Sequence, residues 1–171
     1  MDKRYLYFVE GECEEKFINI FKAPPYNYFL PGKVVVFNFI NKYITNKRLA
    51  LIKPDTNIIL VYDTDVRDIA KLEANIRILK TSKFKHIYHI QSIQTFEDEV
   101  VFATNLSNIN SFYGTSSCEE FKERFLHQEC RSLVCKLDGC SLNLDKFWIR
   151  KSSDSLFRNF YSEEAIKLIR K

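Results

Sequence analysis

Four carboxylates recur in two short clusters that follow apolar runs. "YLYFV" (5–9) ends abruptly in Glu10-Gly11, and Glu14 follows four residues after Glu10. "NIILVY" (57–62) ends in Asp63-Thr64-Asp65. A strand that stops on a carboxylate and leads through Gly into a helix places that acid at a sheet edge. Glu14, one helical turn on, turns back toward the same edge. Asp63 and Asp65 have strand spacing and point the same way if the chain stays extended. Gathered at one edge, these acids repel each other unless a cation sits among them, and several hard oxygen donors favour Mg²⁺ or Mn²⁺. The bland alternative is that Glu10 and Glu14 begin a helix, where acids are stabilised by the dipole.

The elements that position these acids are legible from apolar patterning. Strands are expected at 5–9, 33–39, 57–62 and 86–90. Helices are expected at 12–21, weakly at 40–51, at 66–79 with a stripe of Ile69, Leu72, Ile76 and Leu79, and from 96 to 104. The continuous apolar run 57–62 fits a strand buried on both faces, as in a parallel sheet. Strand-helix alternation implies an α/β, Rossmann-like fold with a mainly parallel four-stranded sheet flanked by helices. In such sheets, ligands sit outside the carboxyl ends of the strands. The expected division is an α/β core over 1–105 and a helical C-terminal extension over 106–171, packed together as a single compact domain. Helices are read at 117–135, 143–149 and 154–170.

"YLYFVEGECEEKF" and, about fifty residues on, "IILVYDTDV" resemble the Toprim domain of topoisomerases, primases and small nucleases. The Glu-Gly-x-x-Glu form is similar to the OLD-type and RloB-like nucleases of phage defence. "SIQTFEDEV" extends that likeness: Ser92, Phe96 and Glu97 match a Ser-x-x-x-Phe-Glu element, although Ile93-Gln94 replace its usual Asn-Pro. The resemblance covers roughly 4–104. It implies a metal-dependent endonuclease that hydrolyses phosphodiester bonds of DNA or RNA, acting as an antiviral defence effector. It also implies Glu10, Glu14, Asp63 and Asp65 as metal ligands, with Glu10 and Asp63 catalytic and Glu97 serving a second ion. A basic residue near the transition-state charge is expected as well. "LDKFWIRK" offers Lys146 for that role, with Arg150 and Lys151 for nucleic acid. The chain has no Gly-rich phosphate loop, so any nucleotide-driven step needs a separate ATPase partner.

Composition sets the frame for these readings. The chain has 171 residues, 46% hydrophobic and 28% charged, an ordinary globular balance. The net charge of +4 does not announce a nucleic-acid binder by itself, but residues 141–171 carry seven Lys/Arg against four acids. No apolar stretch approaches the roughly 20 residues needed to span a bilayer, and charges stand where a signal peptide has its apolar region. The expected location is cytoplasmic, with no membrane partner. The oligomeric state is not legible.

Five cysteines with no secretory context argue against a disulfide framework. The five-residue spacing of Cys130, Cys135 and Cys140 is poor for zinc, so buried thiols are expected. His86 and His89 read as sheet residues and Trp148 as core. Two other functions compete: a non-catalytic Toprim-like module binding metal, nucleic acid or a partner ATPase, and a phosphatase using "DTDV" as an aspartyl nucleophile. The second is disfavoured because that motif normally follows the first strand.

Overall fold

The computed structural model describes residues 4–170. Its elements run β1 (Arg4–Val9), α1 (Glu12–Lys22), β2 (Lys33–Val36), α2 (Asn46–Ala50), β3 (Thr56–Asp63), α3 (Ala70–Lys80), β4 (His86–Ser92) and α4 (Phe96–Phe102). Beyond them lie α5 (Cys118–His127), α6 (Cys130–Gly139), α7 (Ser155–Arg158) and α8 (Glu163–Ile169), with 3-10 turns at Ile109–Phe112 and Leu144–Lys146. The four strands form one wholly parallel sheet in the order β2-β1-β3-β4. The fold is α/β with helices on both faces.

Alternation along the central strands sorts the core into two layers. Tyr5, Tyr7 and Val9 of β1 pack with Phe17, Ile18 and Phe21 of α1 on one face. Leu6 and Phe8 pack with Leu72, Ile76 and Leu79 of α3 on the other. β3 is buried from Thr56 through Tyr62, as a strand covered on both faces must be. The crossover helices that follow β1 and β3 thus lie on opposite faces. The gap between these adjacent strands is where the strand order reverses, and there a crevice opens at the carboxyl edge.

The segment beyond residue 105 shares the first of these cores. Phe121 and Phe125 of α5, Leu133 and Leu137 of α6, Trp148, and Ile169 of α8 join the layer that holds α1 and α4. Trp148 lies 1% exposed among Phe17, Phe29 and Phe147, so it is a core residue as its sequence neighbours imply. The chain closes with an antiparallel bridge between Phe29 and Arg170, and Leu30 N donates to Ile169 O at 3.2 Å. Gly32 lies so close to β1 that an added Cβ would stand 2.7 Å from Tyr5 O.

Several boundaries differ from the expectation, each for a local reason. The expected helix 117–135 breaks at Gln128, where extended backbone separates α5 from α6 and Glu129 caps the new helix. The expected helix 143–149 shrinks to one 3-10 turn, because Trp148 takes a left-handed conformation (φ 59°) to enter the core. The segment 154–170 divides into α7 and α8, with Ser162 capping the second. β2 stops at Val36 and α3 starts at Ala70, so both are shorter than their apolar patterns imply. Among the described residues, no helix is long and apolar enough to cross a membrane.

Candidate metal centre

Parallel pairing brings Val9 level with Val61, so Glu10, which follows Val9, and Asp63, two positions beyond Val61, emerge close together at the carboxyl edge. The Asp63 backbone N–H donates to Glu10 Oε2 at 3.1 Å, and the Asn38 side-chain amide donates to Glu10 Oε1 at 2.6 Å. Both oxygens of Glu10 are therefore aimed by the scaffold. Gly11 precedes α1 in an ordinary extended conformation, so its contribution is space. A Cβ there would lie 3.0 Å from Glu14 Oε2, and its absence lets the Glu14 carboxylate fold back under the strand end.

Glu10, Glu14, Asp63 and Glu97 line one cavity of about 210 Å³, together with Cys13, Phe96 and Lys122. Glu97 reaches it from the first turn of α4. That helix is fixed by a reciprocal cap in which Thr95 and Asp98 bond each other's backbone N–H. Glu14 and Glu97 are each only 4% exposed. Asp63 Oδ1 and Glu97 Oε1 are buried without a hydrogen-bond partner, a costly state for carboxylate oxygens. The nearest cation is Lys122 of α5, whose Nζ lies 3.5 Å from Glu97 Oε1, an ion pair without hydrogen-bond geometry.

Burial and crowding raise the proton affinity of Glu10, Glu14 and Asp63. Asp63 is pushed from 3.8 to about 9, first by burial and then by repulsion from Glu14 and Glu10. Glu14 is pushed from 4.5 to about 7, first by burial, with Glu97 and Glu10 adding to it. Burial also raises Glu10, against which the Asp63 amide and the Asn38 side chain work. Burial pulls Lys122 down, but Glu97 and the neighbouring thiols more than restore it, so it stays a firm cation. Near neutral pH the cavity holds protons where a divalent cation would otherwise balance the charge.

The other residues singled out from the sequence lie elsewhere. After Asp63 the chain leaves the strand. Thr64 is buried and donates to Ser92 O at 3.0 Å, while Asp65 is exposed and does not line the cavity, although its charge is felt at Glu10. Lys146 is exposed on its 3-10 turn and lines no part of the cavity. Arg150 donates to Glu99 Oε1 through Nε at 3.2 Å and Nη2 at 2.8 Å, and stacks on Phe102 at 4.5 Å. Its guanidinium is spent on a fully buried carboxylate, which also accepts the Ile93 and Trp148 backbone N–H groups. Lys151 pairs with Glu163 at 2.8 Å on the surface.

The thiols depart from the expectation of burial. Cys13 is buried, but Cys130 and Cys135 are exposed because the apolar stripe of α6 runs through Leu133, Val134 and Leu137 instead. His89 sits against Tyr62 and Phe160, and burial lowers it to about 4, so it stays a neutral sheet residue.

Three residues at the site were not singled out from the sequence. Asn38 follows β2, and only the sheet order brings it beside Glu10. Cys13 lies inside the Glu-Gly-x-x-Glu motif, where attention falls on the acids. Lys122 occupies the polar side of an amphipathic helix, and nothing local shows that α5 packs against α1. Its i, i+4 relation to Cys118 and Leu126 was the available signal.

Comparisons with protein-family models, with characterised proteins and with solved structures find no match to this chain. A divalent cation can therefore be tested only against the geometry. Two orphaned carboxylate oxygens and a set of four acids fit a hard ion. Among the described residues, however, no three acid, thiol or imidazole groups are already drawn to ion-holding distance. Binding would therefore have to draw these carboxylates closer together than they stand.

Proposed function

We propose that this chain is a Toprim-like, divalent-metal-dependent hydrolase of phosphodiester bonds in DNA or RNA. One observation carries the reading. At the crevice between β1 and β3, Asp63 and Glu97 present buried oxygens with no hydrogen-bond partner into a cavity walled by two further carboxylates. Stability alone gives no reason to crowd two buried and two half-buried acids into one cavity.

Glu10, Glu14, Asp63 and Glu97 would hold Mg²⁺ or Mn²⁺. When bound, such an ion polarises a phosphoryl oxygen and makes an attacking water more acidic. The protein's own groups supply the rest. Asn38 and the Asp63 amide hold Glu10 in one orientation. Lys122 offers the nearby positive charge that a developing phosphorane needs, the role for which Lys146 was the sequence candidate. Recruitment to antiviral defence, with or without a partner ATPase, belongs to the proposal through the resemblance alone.

The test is incubation of purified protein with single- and double-stranded DNA and RNA in Mg²⁺, Mn²⁺ or EDTA, beside Asp63→Ala and Glu10→Ala. Metal-dependent cleavage lost in both variants is expected. Absence of cleavage under every metal, or cleavage retained by Asp63→Ala, overturns the proposal. A second reading, a module that binds without cutting, draws on the existing Lys122–Glu97 pair, which balances part of the charge without an ion. That reading gains if wild type binds nucleic acid, cuts none, and Asp63→Ala keeps partner-dependent function in cells.

A further inference from the structure

Cys13 lies on the first turn of α1 between Glu12 and Glu14, only 5% exposed, and lines the same cavity as Glu10, Asp63 and Glu97. Chemically it is the odd donor there. The other ligand candidates are hard oxygens, whereas a thiol is soft and binds zinc and cadmium far better than magnesium. The cavity also offers the buried Glu97 oxygen that lacks a hydrogen-bond partner. A thiol and unpaired carboxylates lining one small space supply the donors of a mixed sulfur-oxygen set, which an entering ion would have to draw together.

Resting on the reading of this cavity as a metal site, we infer that Cys13 is a ligand for thiophilic divalent ions. Zn²⁺ or Cd²⁺ is thereby bound with sulfur coordination, in competition with the hard ion that the carboxylates alone would hold. On binding, the Cys13 S–H bond is replaced by a sulfur–metal bond, and the proton leaves to water. No electron changes hands. The site is then inhibited by zinc through a residue that an all-oxygen centre does not contain.

The experiment uses the full chain carrying Cys118→Ser, Cys130→Ser, Cys135→Ser and Cys140→Ser, which removes the exposed and half-buried thiols that would bind metal elsewhere and leaves Cys13 alone. Cd²⁺ is titrated while the thiolate-to-cadmium charge-transfer absorbance is recorded, and Mg²⁺ and Mn²⁺ binding are followed by calorimetry. The expected result is a saturable band that excess Mn²⁺ suppresses. Adding Cys13→Ser should abolish it, with at least a tenfold loss of Cd²⁺ affinity and Mg²⁺ affinity changed less than twofold. Asp63→Asn should weaken Cd²⁺ and Mg²⁺ together.

Should Cys13→Ser not fold, cadmium-113 NMR of the parent decides the matter directly, since a resonance in the all-oxygen range refutes sulfur ligation. A band that survives Cys13→Ser, or Cd²⁺ held equally well without the thiol, also overturns the inference while leaving an Asp63-dependent Mg²⁺ site standing. If no divalent ion binds in an Asp63-dependent way, the underlying metal reading fails as well.

Discussion

Replacing Asp63 by Asn should make the metal-free protein more stable, and the gain should depend on pH. Asp63 holds its proton up to about pH 9 in the folded chain, against 3.8 for an ordinary Asp. A carboxyl group raised by folding favours the native state below its unfolded pKa, and that contribution is lost as pH rises through the folded value. The loss therefore begins near pH 4 and is complete near pH 9. At pH 7 about three units of the difference have been traversed, an upper bound on the order of 4 kcal/mol at 1.36 kcal/mol per unit. Glu10, Glu14 and Glu97 still repel one another after the substitution, and water reaches the cavity, so a gain of about 2 kcal/mol is expected. For a chain of this length that raises Tm by roughly 4–8 °C. The assay is thermal and urea unfolding of wild type and Asp63→Asn from pH 5 to pH 9 in EDTA, then in Mg²⁺. The difference should widen with pH and shrink with Mg²⁺ in the wild-type sample. An Asn variant less stable than wild type at pH 8, or a difference independent of pH, would refute the electrostatic account.

Other perturbations separate the remaining claims. Lys122→Ala should lower metal-dependent cleavage about 10²–10³-fold, while Lys146→Ala changes it less than about twofold, read as kcat on a defined oligonucleotide. Arg150→Ala strands the fully buried Glu99 carboxylate and should cost about 3–5 kcal/mol by urea denaturation; Glu99→Gln in the same background should recover part of that loss. Gly32→Ala drives a Cβ into the Tyr5 carbonyl, where the obstacle is backbone, and should cost about 1–3 kcal/mol in the same assay.

The four strands and helices α1, α3 and α4 were legible because each carries its own signal, whereas the weak pattern over 40–51 holds only the short α2, Asn46–Ala50. Runs such as 57–62 are apolar throughout, and helix starts are marked by Thr95 or by Glu12, Glu14 and Glu15. The pairing of Glu10 with Asp63 follows from putting those strands in one parallel sheet. What stayed hidden depends on docking between distant segments. Lys122 reaches Glu97 only because Phe121 and Phe125 bury their face of α5 against the core. Arg150 looked like a free surface cation because its partner, Glu99, lies fifty-one positions away. Asp65 kept strand spacing in the sequence, but the strand ends at Asp63.

The bridge between Phe29 and Arg170 has a consequence for biosynthesis. The layer behind the carboxylate cavity contains Trp148 and Ile169, and Leu30 bonds to the carbonyl of Ile169. A nascent chain that has emerged only through β4 has every strand of its sheet but lacks a large part of the wall over α1. Until residue 148 clears the ribosome, Phe17 and Phe29 have no Trp148 to pack against, and until residue 169 does, the layer lacks Ile169 and its apolar surface stays open to chaperones. Release of such a chaperone should coincide with emergence of α8 rather than with completion of the sheet.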